Sequence, residues 1–267
     1  GGKAAPVLWQ KTTNGPFPYE YTPNPAYKPG PPISYRVETS GQARMIWGNT
    51  QEATALLAAV NFLAKEGAIV REAGLCALEA VGVPEHLHPK LLPGEKMQLF
   101  GASPDAIAEF PDGRIEVIEV KNHAPFREGG TTWKSTSRGQ RMTVSDPGPF
   151  KEVATWHVPQ LQLEMLCLGP KCTNALFVSC SATRGVVLQR LARNDEYIRQ
   201  MLALAATFDR EVIRAGNAPY PDFAAKFEGH AQLLELTLEV AASATVVAEI
   251  APHNVQRSPF NKRMFLD

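Results

Sequence analysis

The stretch from Met97 to Lys121 reads MQLFGASPDAIAEFPDGRIEVIEVK. Two β-like runs, Met97 to Phe110 and Arg114 to Lys121, flank Pro111-Asp112-Gly113. Each of these three residues favours a turn for its own reason: proline presets φ, aspartate bonds nearby backbone, and glycine accepts left-handed φ. The expectation is a β-hairpin. Under the two-residue period of a strand, Ile115, Val117, Glu119 and Lys121 share one face, while Glu116, Ile118 and Val120 share the other. Across the hairpin, Asp105 can come beside Glu119. Hard divalent cations take one or two carboxylates plus water and phosphate oxygens, and a lysine on the same face can serve the attacking water. Taken alone, Glu119-x-Lys121 reads as the solvated face of an edge strand; the Ser103-Pro104-Asp105 step one strand earlier strengthens the metal reading without deciding it, and two further segments lift it.

Working outward, the first forty residues are rich in Pro, Gly, Tyr and Asn, which forbids long helices or central strands. The division expected is a proline-rich arm, 1–44, and a single α/β domain, 45–267. Apolar spacings of three and four predict a helix from Asn49 to about Lys65, capped by Asn49 or Thr50 and ended by Gly67. A further apolar segment runs from Ile69 to Val81. Residues 122–152 carry many Gly, Ser, Thr and basic positions and read as one long mobile loop. Beyond it come a helix from about Ala154 to Leu168 and a strand pair, Ala175 to Ser181 and Val186 to Leu191. A helix over Asp195 to Ala215 capped by Asn194, and a last helix over about Gly229 to Ile250, complete the pattern. The sheet is expected to be mixed and central, with helices on its flanks.

Composition narrows the function. The chain has 267 residues, 44% of them hydrophobic, enough to bury one sizeable core. Its 27 basic residues balance 27 acidic ones, so no bulk positive field marks a polyanionic partner, although carboxylates around a metal would mask a local basic groove. Cys76, Cys167, Cys172 and Cys180 lack CxxC spacing and lie in apolar runs, as buried thiols in a reducing, intracellular setting do. No secretory signal and no membrane-spanning run is read. His86-x-His88 lacks a third metal ligand nearby, and no glycine-rich phosphate loop supports ATP or NAD chemistry.

Four blocks then carry a family likeness: Trp47-Gly48-Asn49-Thr50-Gln51-Glu52, Gly101-Ala102-Ser103-Pro104-Asp105, Glu119-Val120-Lys121-Asn122, and His157-Val158-Pro159-Gln160-Leu161-Gln162-Leu163-Glu164. Their order and spacing resemble the lambda-exonuclease-like (YqaJ viral recombinase) branch of the PD-(D/E)xK nucleases, over roughly residues 45 to 215. Arg193-Asn194-Asp195-Glu196-Tyr197 resembles that branch's later strand-to-helix junction. The resemblance implies a restriction-endonuclease-like core and a Mg²⁺-dependent DNA nuclease, with Mn²⁺ as a substitute ion. It implies that Asp105, Glu119, Glu52 and the Val120 carbonyl ligate the metal, that Lys121 serves the water, and that Gln160 orients lysine or water. DNA is the implied partner, with a homo-oligomer and a recombination or repair protein left open. As ordinary alternatives, Glu52 is a first-turn glutamate favoured by the helix dipole and Gln160 a surface helix residue. Ser103 either binds a substrate phosphate or closes a turn.

The loop residues Arg127, Lys134, Arg138 and Arg141, with Trp133, fit a surface that tracks a nucleic-acid backbone, or equally a solvated linker. The family's phage members carry an Arg- and Ser-bearing segment that grips a 5′ phosphate, and the proline-rich arm shows no counterpart. The expected activity is therefore an exonuclease on DNA ends in recombination or repair, with a structure-specific endonuclease on the same core as the alternative. A non-catalytic nucleic-acid-binding protein on a decayed nuclease fold is the rival of another class.

Overall fold

The structure, a computed structural model, describes residues 10–11, 19–20, 40–78, 82–89, 100–128, 142–216 and 222–255. The chain divides into two compact units, Gly1–Glu38 and Thr39–Asp267. In the first, Gln10–Lys11 pairs antiparallel with Tyr19–Glu20. The second is a mixed α/β unit built on six strands: β1 (Ile69–Arg71), β2 (Ala106–Glu109), β3 (Ile115–His123), β4 (Cys172–Ser181), β5 (Gly185–Ala192) and β6 (Thr245–Ile250). Their order across the sheet is their order along the chain. All neighbours are antiparallel except β3 and β4, which run parallel.

The predicted hairpin forms β2 and β3. The Gly113 N–H donates to the Phe110 carbonyl at 2.9 Å, the Arg114 N–H donates to Asp112 Oδ1 at 3.0 Å, and Gly113 takes the positive φ of 83° that only glycine adopts freely. β3 is not an edge strand, contrary to the ordinary reading of Glu119-x-Lys121; it lies between β2 and β4. Both of its faces are covered, as a central strand with helices on each side requires. Ile118 and Val120 pack with Leu176, Val178 and Leu188 beneath Ala55, Ala58, Ala59 and Leu63 of helix α1 (Ser40–Leu63). On the opposite face, Val117, Ala175 and Phe177 pack against Val158, Leu161 and Met165 of helix α2 (Val158–Cys167). They also meet Tyr197 of helix α3 (Asp195–Phe208) and Val240 of helix α4 (His230–Ala242).

Glu116 lies on the α1 side of β3 and is fully buried. Arg114 donates to one of its oxygens at 2.6 Å and Arg190 to the other at 3.0 Å, while Arg190 also reaches Glu66 at 2.7 Å. Burial pushes the Glu116 carboxyl up from its ordinary value, and the two guanidinium groups oppose that push.

Several expectations are corrected. Helix α1 begins at Ser40, so neither Asn49 nor Thr50 caps it. The Thr50 hydroxyl instead donates back to the Ile46 carbonyl at 2.7 Å within the helix, which places Trp47-Gly48 mid-helix. Gly67 does end the segment, with φ 78° after a 3₁₀ turn. The run from Met97 is interrupted: Gly101–Ala102 pairs with Cys76–Ala77, then Ser103-Pro104-Asp105 breaks the ladder before β2.

The predicted last helix ends at Ala242, and Thr245–Ile250 leaves it to form edge strand β6 against β5. α3 stops at Phe208 and continues as a π-helical turn, Asp209–Ile213; its predicted cap holds, with Asn194 Oδ1 accepting the Tyr197 N–H at 2.8 Å. Segment 122–152 is also less open than one long loop. β3 continues to His123, and Phe126–Glu128 pairs with Met142–Val144, setting the Arg127 backbone opposite Thr143. Asp146 then ties the return to the β4–β5 turn by accepting from the Gly148 and Thr183 N–H groups and the Ser181 and Thr183 hydroxyls. Lys134, Arg138 and Arg141 lie outside the described residues.

Candidate active site

The site grows from one break in a ladder. Pro104 has no N–H to donate, and the β2–β3 pairing ends at Ala106 opposite Ile118. Beyond that point the β2-facing edge of β3 is free of backbone partners from this strand. Asp105 fills the gap with its side chain: Oδ2 accepts the Val120 N–H at 2.7 Å. In an extended strand the N–H and C=O of one residue project to the same edge. The Val120 carbonyl therefore faces the edge where the Asp105 carboxylate sits, next to Glu119.

Glu119 points to the α2 side and is only 3% exposed. Its Oε1 accepts from the Lys121 ammonium and from the Gln160 amide, the latter at 2.7 Å. Its Oε2 is buried with no hydrogen-bond partner. Leaving such an acceptor unpaired costs about 1–3 kcal/mol. Burial and the nearby Asp105 charge push the Glu119 carboxyl up, against the pull of Lys121 and Gln160. Gln160 sits in the first turn of α2, and the same amide nitrogen also donates to Glu164 Oε1 at 2.8 Å.

Glu164 is the residue that the sequence reading left out. It lies one helical turn after Gln160, is 2% exposed, and has an unpartnered buried Oε2 of its own. Burial, then Glu119, push its carboxyl up to about 8. At neutral pH it is largely the neutral acid. The Gln160 to Glu164 spacing was the signal available, since i and i+4 share one helix face.

Glu52 reaches the site from α1. Its carboxyl is raised by burial and then by Asp105, with Lys121 pulling the other way, so its charge is felt by the same two groups. Ser103 is exposed beside Asp105. Of the histidine pair, His86 contacts Asp195 at 3.0 Å and His88 the Val83 carbonyl at 2.9 Å. All four cysteines are free thiols; burial holds Cys167 and Cys180 at about 11 and Cys172 at about 12.

The structure thus brings Asp105, Glu119, Val120, Lys121 and Gln160 together, with Glu52 in electrostatic reach. Among the described residues no three His, Cys, Asp or Glu side chains form a ready-made metal cage. The donor set still suits a hard divalent ion. Mg²⁺ takes one or two carboxylates and leaves its other positions to waters and substrate oxygens. Asp105, the unpaired Glu119 Oε2 and the Val120 carbonyl edge are oxygen donors of that kind.

No family model, curated protein or solved structure matches the chain. No helix among the described residues is long and apolar enough to cross a membrane.

Proposed function

We propose that the chain is a divalent-metal-dependent deoxyribonuclease on a restriction-endonuclease-like core, acting on DNA ends in recombination or repair. The observation that carries the reading is the Glu119 carboxylate: buried on a central strand, beside Asp105, with one oxygen held by Lys121 and Gln160 and the other unpaired. Buried acids raised by desolvation and by neighbouring acids, with a lysine as charge partner, are the kind of perturbed group that functional sites collect. The resemblance of the Asp105, Glu119 and Lys121 blocks to the lambda-exonuclease-like nucleases supports the same assignment.

In this reading Asp105, Glu119 and the Val120 carbonyl hold Mg²⁺, with Glu52 completing the acidic set and Mn²⁺ as a substitute. When bound, the ion supplies charge neutralisation at the scissile phosphate and a lowered pKa for its water. The Lys121 ammonium, bonded to Glu119 and partly exposed, would orient the nucleophile or offset charge on the phosphate. Gln160 spans Glu119 and Glu164 with one amide and fixes both carboxyls. Glu164 packs against the same amide, its carboxyl pushed up by burial and by Glu119.

The test is incubation with linear, nicked and covalently closed DNA in Mg²⁺ or in EDTA. Degradation of linear and nicked DNA alone, abolished by EDTA, is expected. Cutting of closed circles assigns an endonuclease on the same core, and no cleavage of any form refutes the enzyme reading.

A further inference from the structure

Two large aromatic side chains stand in the open beside the site. Trp156 is 69% exposed and Phe150 41%. With Leu238, 63% exposed on the same groove, they form a shared apolar patch, and it is such a patch, not a single exposed side chain, that marks an interaction site. Both are anchored to residues that flank the acidic cluster. In the parallel register, Phe177 of β4 lies opposite Glu119 and Ser179 opposite Lys121. The His157 ring packs on Phe177 at 5.1 Å, and Trp156 Nε1 donates to His157 Nε2 at 3.1 Å. Ser179 Oγ accepts the Phe150 N–H at 2.8 Å and meets His123 Nε2 at 2.7 Å, and the His123 ring lies 4.1 Å from the Phe150 ring. Each aromatic therefore hangs on the strand position next to a residue of the candidate site.

Phe150 and Trp156 also line one groove of about 830 Å³. Its other wall is the end of α4: Leu238, Ala241 and Ala242, with Ala244 following. Lys151 and Glu152 line the groove too, and the small side chains of Ala241, Ala242 and Ala244 leave it room beside the aromatic rings. The hydrogen bond from Trp156 to His157 sets the indole in advance, which lowers the ordering cost of stacking. His157 is the right partner for it, because burial and Lys121 hold that imidazole at about 4, neutral and able to accept.

Resting on the nuclease reading above, we propose that this groove receives unpaired nucleobases of the strand being cut, with Trp156 and Phe150 as their stacking platforms. Among DNA substrates, single strands and frayed or overhanging ends are then preferred over a fully paired blunt duplex. Base-on-aromatic stacking is indifferent to sequence, since every base offers a π face. The preference is thus for strand state and not for base identity.

The test measures binding of a short single-stranded oligonucleotide carrying 2-aminopurine, in Ca²⁺, to the parent, Trp156→Ala and Trp156→Phe. Stacking is expected to quench the probe on the parent. Trp156→Ala should weaken binding by about 5- to 150-fold, the effect of 1–3 kcal/mol per stacked base, and Trp156→Phe should recover most of it. An oligonucleotide with abasic positions in place of the stacked bases should bind parent and Trp156→Ala alike. Equal affinity of parent and Trp156→Ala for the normal oligonucleotide overturns the proposal. So does an equal loss with the abasic one, which would mark a structural role, or a concentration-dependent dimer that Trp156→Ala dissolves, which would give the groove to a second copy. A parent that binds no DNA at all, single- or double-stranded, removes the nuclease reading together with this one.

Discussion

Glu116 and Glu119 stand three residues apart on β3, both buried, one on each face, and they are treated in opposite ways. Glu116 has a guanidinium on each oxygen: Arg114 at 2.6 Å and Arg190 at 3.0 Å. After burial, the strongest influence on its carboxyl is the attraction of Arg190. Glu119 has one oxygen shared by Lys121 and Gln160 and one left alone, and its strongest influence after burial is the repulsion of Asp105. A carboxylate that only ties a sheet to its surroundings is neutralised where it lies. One that is crowded with other acids and left half unpaired is, on the function proposed above, the one that would take a cation. The difference teaches that burial of an acid does not by itself mark a site; the sign of its neighbours does.

Three measurements can break or sharpen this contrast. The largest effect is expected at Lys121. Lys121→Ala should cut the rate on linear DNA by a factor on the order of 10² or more while the melting transition stays close to the parent's. Unchanged turnover would put the lysine with the ordinary strand surface.

The next effect is a pH dependence. Folding holds the Glu164 carboxyl at about 8 against an ordinary 4.5, so the native state binds that proton more tightly than the unfolded chain does. The stability this contributes is complete below about 4.5 and drains away as pH rises through about 8. Urea midpoints taken near these two pH values should show the parent losing about 2 kcal/mol, discounted from 1.4 kcal/mol per unit for relaxation and coupling. In Glu164→Gln that decline should flatten. A decline of the same size in the variant would trace it to another group.

The smallest effect belongs to Glu116. Glu116→Gln should lower stability by about 1.5 kcal/mol, a modest figure because both arginines stay partly exposed and can rehydrate, and the turnover of folded enzyme should be normal. A loss of activity at constant stability would collapse the distinction between the two faces.

What the sequence made legible follows the range of the forces involved. The hairpin could be read because Pro111-Asp112-Gly113 encodes its turn locally, and alternation then put Glu119 and Lys121 on one face. Gln160 could be placed only through the family likeness of the blocks, and it does meet Glu119. The start of α1 is hidden because Gly48-Asn49-Thr50 looks like capping chemistry; nothing in that window shows that the helix reaches back to Ser40. β6 reads as helix because Leu, Ala and Glu periodicity runs into it. The β-branched Thr245, Val246 and Val247 were the contrary sign, and pairing with β5 decided the outcome. Glu164 was invisible as a site residue for a simpler reason. A glutamate on a helix looks solvated until the sheet beneath it is known.

The agreement between chain order and sheet order has a consequence for how the molecule assembles. Loop-closure entropy rises with the logarithm of loop length, so the ladders joined by the short turns 110–114 and 182–184 are the least costly to close. The first of these hairpins already contains Asp105, Glu119 and Lys121. Gln160 and Glu164 come into place only when the long crossover from β3 to β4 brings α2 down, and Glu52 when α1 docks. The part of the molecule proposed to meet the substrate is thus the part that closes locally. Its supports belong to the slower, non-local phase of folding, in which contacts of high sequence separation form.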